Sequence, residues 1–111
     1  MLHEQAAAKG EARILVHPPN DLPYQVVAGY LDKCRKGLQP LKAAIERFDY
    51  DFVTVYGHRM KGCGASYGFP ILSETGASME QAARARNDDD LRNCAATLEA
   101  HLALLELVAP C

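Results

Sequence analysis

The stretch GHRMKGCGASYG, running from Gly57 to Gly68, decides how this chain is read. It holds four of the eight glycines, together with one histidine and one lysine. The period of the surrounding residues is helical, and glycine in a helix interior costs about 1 kcal/mol against alanine. On a helical wheel of about 100° per residue, Asp51, Thr54, Val55, His58, Lys61, Gly62 and Ala65 cluster around one direction. Val53, Tyr56, Met60, Cys63, Gly64 and Tyr67 fall on the other side. That second set is larger and apolar, so it is expected to face the core. His58 then points outward, with Lys61 one turn on, and Gly62 and Ala65 leave a flat surface beside it. Gly57 and Gly64 remove bulk at the flank and core side, where neighbouring helices can pack. Gly68 is placed to end the helix in a left-handed conformation.

Working outward, the helix with His58 is expected from about Asp49 to Ser66. Before it, Val27, Tyr30, Cys34, Leu38, Leu41, Ile45 and Phe48 recur at steps of three and four. This predicts one long helix from Leu22, with Asn20 or Asp21 as N-cap and a kink near Gly37–Pro40. A third helix is expected from Phe69-Pro70, with proline in its first turn and Leu72, Gly76, Met79 and Ala83 as its apolar stripe. A last one opens at Asn87, where Asp88, Asp89 and Asp90 suit the positive end of the helix dipole. Its stripe, Leu91, Ala95, Leu98, Leu102, Leu105 and Ala109, runs to Pro110. Four amphipathic helices with short links predict an all-α fold, an antiparallel up-down four-helix bundle with a short extended N-terminal arm. The expected division is residues 1–21 as a flexible lead and arm, and residues 22–109 as the bundle. The lead, residues 1–12, is polar and alanine-rich with little to bury. The arm, ILVHPPND, is a short apolar run halted by two prolines.

A length of 111 residues suits one domain. The net charge of −2 and the lack of a basic stripe argue against nucleic-acid binding. No run approaches the length of a membrane span, and the first residues lack a secretory apolar core, so a cytoplasmic location is expected. Cys34, Cys63 and Cys94 fall on apolar helical faces and are expected to be small buried hydrophobes. With Cys111 they form no CxxC pair, so no metal site is expected. His3, His17 and His101 sit where no chemistry is expected of them.

An outward imidazole with a lysine one turn away fits phosphoryl chemistry. Imidazole is a good nucleophile near neutral pH, and an ammonium neutralises phosphate oxygens. The stretch is not a phosphate-binding loop, because Lys61 precedes Gly62 and Tyr67 stands where a glycine-rich loop would want glycine.

His58-x-x-Lys61-Gly62-x-Gly64-x-x-x-Gly68 resembles the signature of histidine-containing phosphotransfer domains of bacterial two-component phosphorelays. Met60 matches the hydrophobic position after the histidine, and Gly57 the small residue before it. The continuation YGFPILSETGASMEQAARA is also similar to the helix that follows in small bacterial members. The resemblance spans roughly Leu22 to Leu105. It implies a phosphocarrier, without a nucleotide site of its own, that exchanges a phosphoryl group with an aspartate of a response-regulator receiver domain, or with a hybrid histidine kinase. It implies His58 as phosphoacceptor and Lys61 as the residue that steadies the phosphoryl group. It implies Gly62 as clearance for the receiver, with Thr54, Val55, Ala65 and Phe52 on the docking surface and Gly57, Gly64 and Gly68 as structural. No cofactor is implied for this chain, the Mg2+ belonging to the receiver. The rival readings are a docking module that regulates a kinase or receiver without carrying phosphate, a purely structural bundle, and a metal or haem bundle, which would need inward-facing histidines.

Overall fold

The computed structural model describes residues 13–109. The expected lead, residues 1–12, and His3 and Cys111 lie outside the described residues. In chain order the elements are strand β1 (Ile14–Val16) and helices α1 (Tyr24–Lys36), α2 (Leu38–Glu46), α3 (Tyr50–Cys63), α4 (Pro70–Arg84) and α5 (Asp88–Leu104). Strand β2 (Leu105–Leu107) follows, and a 3₁₀ turn at Ala65–Tyr67 separates α3 from α4. The fold is mostly helical, as the spacing predicts.

The helix starts follow local chemistry. The Asp49 carboxylate accepts from the Phe52 N–H at 3.1 Å, and the Asn87 side chain accepts from the Asp90 N–H at 3.1 Å. Pro70 takes the first position of α4, where its missing N–H leaves nothing unpaired. The first helix corrects the expectation, because Pro23 and not Asn20 or Asp21 holds the N-cap position. The ring of Pro23 biases Leu22 away from helical angles, so the helix cannot extend back to the polar residues.

Helices α1 and α2 meet at Gly37, which stays in the right-handed region at φ −79 and ψ −8. The expected single long helix is therefore two, and the break falls there because Pro40, in the first turn of α2, cannot bond back toward Lys36. The last helix is shorter than its apolar stripe suggests. It stops at Leu104, and Leu105–Leu107 pair in parallel with the arm, Ile14 opposite Leu105 and Val16 opposite Leu107. The Arg35 guanidinium accounts for this end, donating to the carbonyls of Leu102 at 2.9 Å and Leu105 at 2.8 Å. Leu105 is still buried, but in a strand, and Ala109 lies exposed beyond it. The arm is thus stitched to the far end of the chain.

The core is built on Val27, Leu31, Leu41, Ile45, Val53, Phe69, Leu72, Met79, Leu91 and Leu98. Helix α4 packs against α3 on one side and α5 on the other, and α5 returns against α2. Among the described residues the α3–α4 contact is the most extensive. A Cβ on Gly76 would lie 2.5 Å from the Lys61 backbone nitrogen, one on Gly57 2.8 Å from the Glu80 backbone nitrogen, and one on Gly64 2.7 Å from the Ser73 backbone nitrogen. Ordinary contact begins near 3.4 Å, so only glycine allows this approach.

Of the cysteines expected inside, Cys34 is buried and Cys94 half-buried, but Cys63 is exposed. Cys63 holds the last position of α3, beside an open cleft rather than under a neighbouring helix. Helix α3 also ends earlier than expected, tightening at Gly64 into the 3₁₀ turn. Gly68 then closes the turn at φ +96, a left-handed conformation that disfavours other residues.

Candidate functional site

His58 lies in the middle of α3 with 65% of its side chain exposed. Its Nδ1 sits 3.1 Å from Glu80 Oε2, across the glycine-lined contact with α4. Glu80 itself is 6% exposed. Burying a carboxylate is expensive unless cations surround it. Here Arg84 donates to Oε2 at 2.8 Å and Lys61 Nζ lies 3.2 Å from Oε1. The Arg84 hydrogen bond is the largest influence on the Glu80 carboxyl. Against the opposing effect of burial, and with Lys61 and His58 adding to it, Glu80 is held down to about 2.

This selects the tautomer of the neutral histidine. An ionised carboxylate only accepts hydrogen bonds, so the nitrogen facing it, Nδ1, carries the proton. In the neutral ring Nε2 then has the free lone pair. The carboxylate also stabilises any positive charge that the ring acquires. The arrangement therefore offers an oriented nucleophile on an exposed helix face.

The neighbours expected to clear that face are where the wheel places them. A Cβ on Gly62 would meet nothing within 4 Å. Lys61 and Ala65 are exposed and Thr54 is half-buried. Phe52 and Val55, large apolar groups on α3, remain exposed, as does Phe48 just before it. Gly57 and Gly64 face the packed side, as described. Lys61 rests against Glu80, so its ammonium sits within one turn of His58 with its outer part in solvent.

The sequence reading missed Glu80 and Arg84. A signal was present: Gly76, Glu80 and Arg84 follow at steps of four, one row of a helix. That row runs along the face of α4 that glycine brings against α3. A carboxylate there, four residues before an arginine, is placed to reach whatever α3 offers. Among the described residues no group of three or more His, Cys, Asp or Glu side chains is arranged to hold a metal ion. The Nδ1 of His101, on α5, is buried with no hydrogen-bond partner among the described residues.

A family model for the Hpt domain matches residues 25–108. The chain belongs to the Hpt domain family. Membership ties it to histidine phosphotransfer in two-component phosphorelays, in which Hpt domains act as phosphocarriers and interact with receiver domains and histidine kinases. No curated protein and no solved structure matches this Hpt protein. Among its described residues no helix is long and apolar enough to cross a membrane.

Proposed function

We propose that this Hpt protein relays a phosphoryl group between Nε2 of His58 and the aspartate of a response-regulator receiver domain. The observation that carries the reading is the His58–Glu80 pair, which turns an exposed imidazole into an oriented nucleophile. The Nε2 lone pair attacks the phosphorus of the receiver's aspartyl phosphate in line. The bond from phosphorus to the carboxylate oxygen breaks, and its electron pair returns to the aspartate. The ring, phosphorylated on Nε2 and still protonated on Nδ1, is cationic, and Glu80 stabilises it. Microscopic reversal returns the phosphoryl group.

Docking supplies the proximity that the step requires. Gly62 and Ala65 leave clearance for the receiver, and Thr54, Val55 and Phe52 offer it apolar contact. Lys61 neutralises phosphoryl oxygens from one turn away. Mg2+ would be held in the receiver's acidic pocket, where it would offset charge on the transferring group. The antiparallel order of the bundle also belongs to this reading. Its support is that contacts descend along α4, from Glu80 through Gly76 to Ser73, as they ascend along α3 from Gly57 to Gly64.

The test supplies labelled kinases and receivers to wild type and to His58→Gln. Label on wild type alone, lost in acid and kept in base, is the expected result. Unlabelled wild type that still binds a receiver as tightly as the variant does would leave only a docking module.

A further inference from the structure

A cleft of about 320 Å³ opens between α1 and the C-terminal half of α3. Ligand sites run from roughly 300 to 1,000 Å³, so this one is scaled to a molecule of one or two rings. Its wall is aromatic: the rings of Tyr30 and Tyr67 stack at 4.2 Å and 4° between planes, and Tyr56 lines the cleft as well. The Tyr30 hydroxyl is buried, and its polar neighbours are the Cys34 thiol, a weak hydrogen-bond partner, together with Cys63 and Tyr56. Burial pushes the Tyr30 phenol well above its ordinary value and the Tyr56 phenol up to about 12, marks of a poorly solvated interior.

The charge at the mouth has one sign. Lys33 and Arg59 border the cleft and are exposed, no acidic residue lines it, and neither cation is ion-paired with a described residue. Elsewhere on the surface Lys36, Lys42, Arg47 and Arg92 find carboxylates, and Arg86 lies over the Tyr50 ring. An apolar aromatic slot rimmed by two unpaired cations and containing one weakly bonded buried hydroxyl is complementary to a flat ring that carries a single negative charge.

We propose that this cleft binds a small aromatic carboxylate, its ring against the Tyr30–Tyr67 wall and its carboxylate between Lys33 and Arg59. A hydrogen-bonding substituent on the ring would satisfy the Tyr30 hydroxyl. Because Arg59 directly follows His58, the occupant sits at the edge of the proposed docking face and removes positive charge from it. The cleft does not depend on the phosphoacceptor role of His58.

The experiment follows amide chemical shifts of the whole protein, wild type and His58→Gln, titrated with three probes. These are 4-hydroxybenzoate, benzamide as a ring without charge, and acetate as a charge without a ring. The expected result is saturable shifts at Lys33, Cys34, Cys63 and Tyr67 with 4-hydroxybenzoate, equal in both proteins, and at least ten-fold weaker binding of each control. The double variant Lys33→Ala with Arg59→Ala, which removes two exposed side chains, should weaken 4-hydroxybenzoate at least ten-fold. Benzamide binding as well as 4-hydroxybenzoate, acetate binding as well, or no saturation by about 10 mM would each overturn the proposal.

Discussion

Replacing Gly76 and Gly62 by alanine, one at a time, should move stability in opposite directions. Both lie at or beside helical positions where alanine gains about 1 kcal/mol of intrinsic preference over glycine. Gly62 has open space where its Cβ would stand, so that gain is expressed almost in full. At Gly76 the new Cβ would stand 2.5 Å from the Lys61 nitrogen, 2.7 Å from the Gly57 carbonyl oxygen and 2.9 Å from Met60 Cβ. Two of these neighbours are backbone, which cannot rotate aside, so α3 and α4 must part by nearly 1 Å. Overpacking of this kind costs about 1–3 kcal/mol, and three simultaneous contacts put it at the upper end. After the propensity gain, the net loss is about 2 kcal/mol. For a domain of this size that lowers Tm by roughly 8–16 °C, while Gly62→Ala raises it by a few degrees. Thermal and urea unfolding followed by circular dichroism measure both. A Gly76→Ala protein as stable as wild type would refute the packing argument. The functional corollary separates the two glycines further: Gly62→Ala, though stabilised, should slow phosphoryl transfer from a receiver by at least ten-fold.

Three further outcomes are expected. His58→Gln should abolish phosphoryl acceptance yet shift Tm by only a few degrees, because the side chain is largely exposed; a collapse of the fold would mean that the imidazole serves structure. The folded value of Glu80, about 2, lies below the ordinary 4.5, so its ionised form contributes stability at pH above 4.5 that is lost as pH falls toward 2. Urea midpoints of wild type should therefore fall faster than those of Glu80→Gln across that window, and parallel curves would remove Glu80 from the account. Cys63 should react with a disulfide reagent at least ten-fold faster than Cys34, which is buried and whose thiol burial pushes up; mass mapping of the first labelled residue decides it.

The apolar period and the glycine pattern made the helices and the outward direction of His58 legible, because both are properties of one helix at a time. What was not legible depends on contacts between elements. The stripe of the last helix continues through Leu105 toward Ala109, and nothing in its period marks Leu104 as an end. That end is set by Arg35, far away in sequence, and by the arm's strand. Phe48 and Arg86 adopt left-handed angles, φ 60 and 54, where α2 and α4 close. Neither is glycine or asparagine, so the sequence carried no mark of those turns. Cys63 was misplaced for a related reason: the wheel assigns a face, but not whether a neighbour reaches that far along it.

Glu80 is the instructive omission, since it joins the fold to the proposed chemistry. Helix glycines are usually explained either by packing or by function, and at Gly57 and Gly76 the two explanations are one. Without a Cβ on either residue, the two backbones approach closely enough for a carboxylate on α4 to reach beneath a histidine on α3. A longer separation would leave Glu80 bonded to Arg84 within its own helix, and His58 free to rotate in solvent as an ordinary surface histidine. The same closeness makes the buried charge tolerable, because it brings Lys61 to the second carboxylate oxygen. The glycines of the opening stretch therefore act in two directions. Gly57 and Gly64 draw α4 in to hold the ring, and Gly62, on the opposite side of the helix, keeps the approach to the ring open.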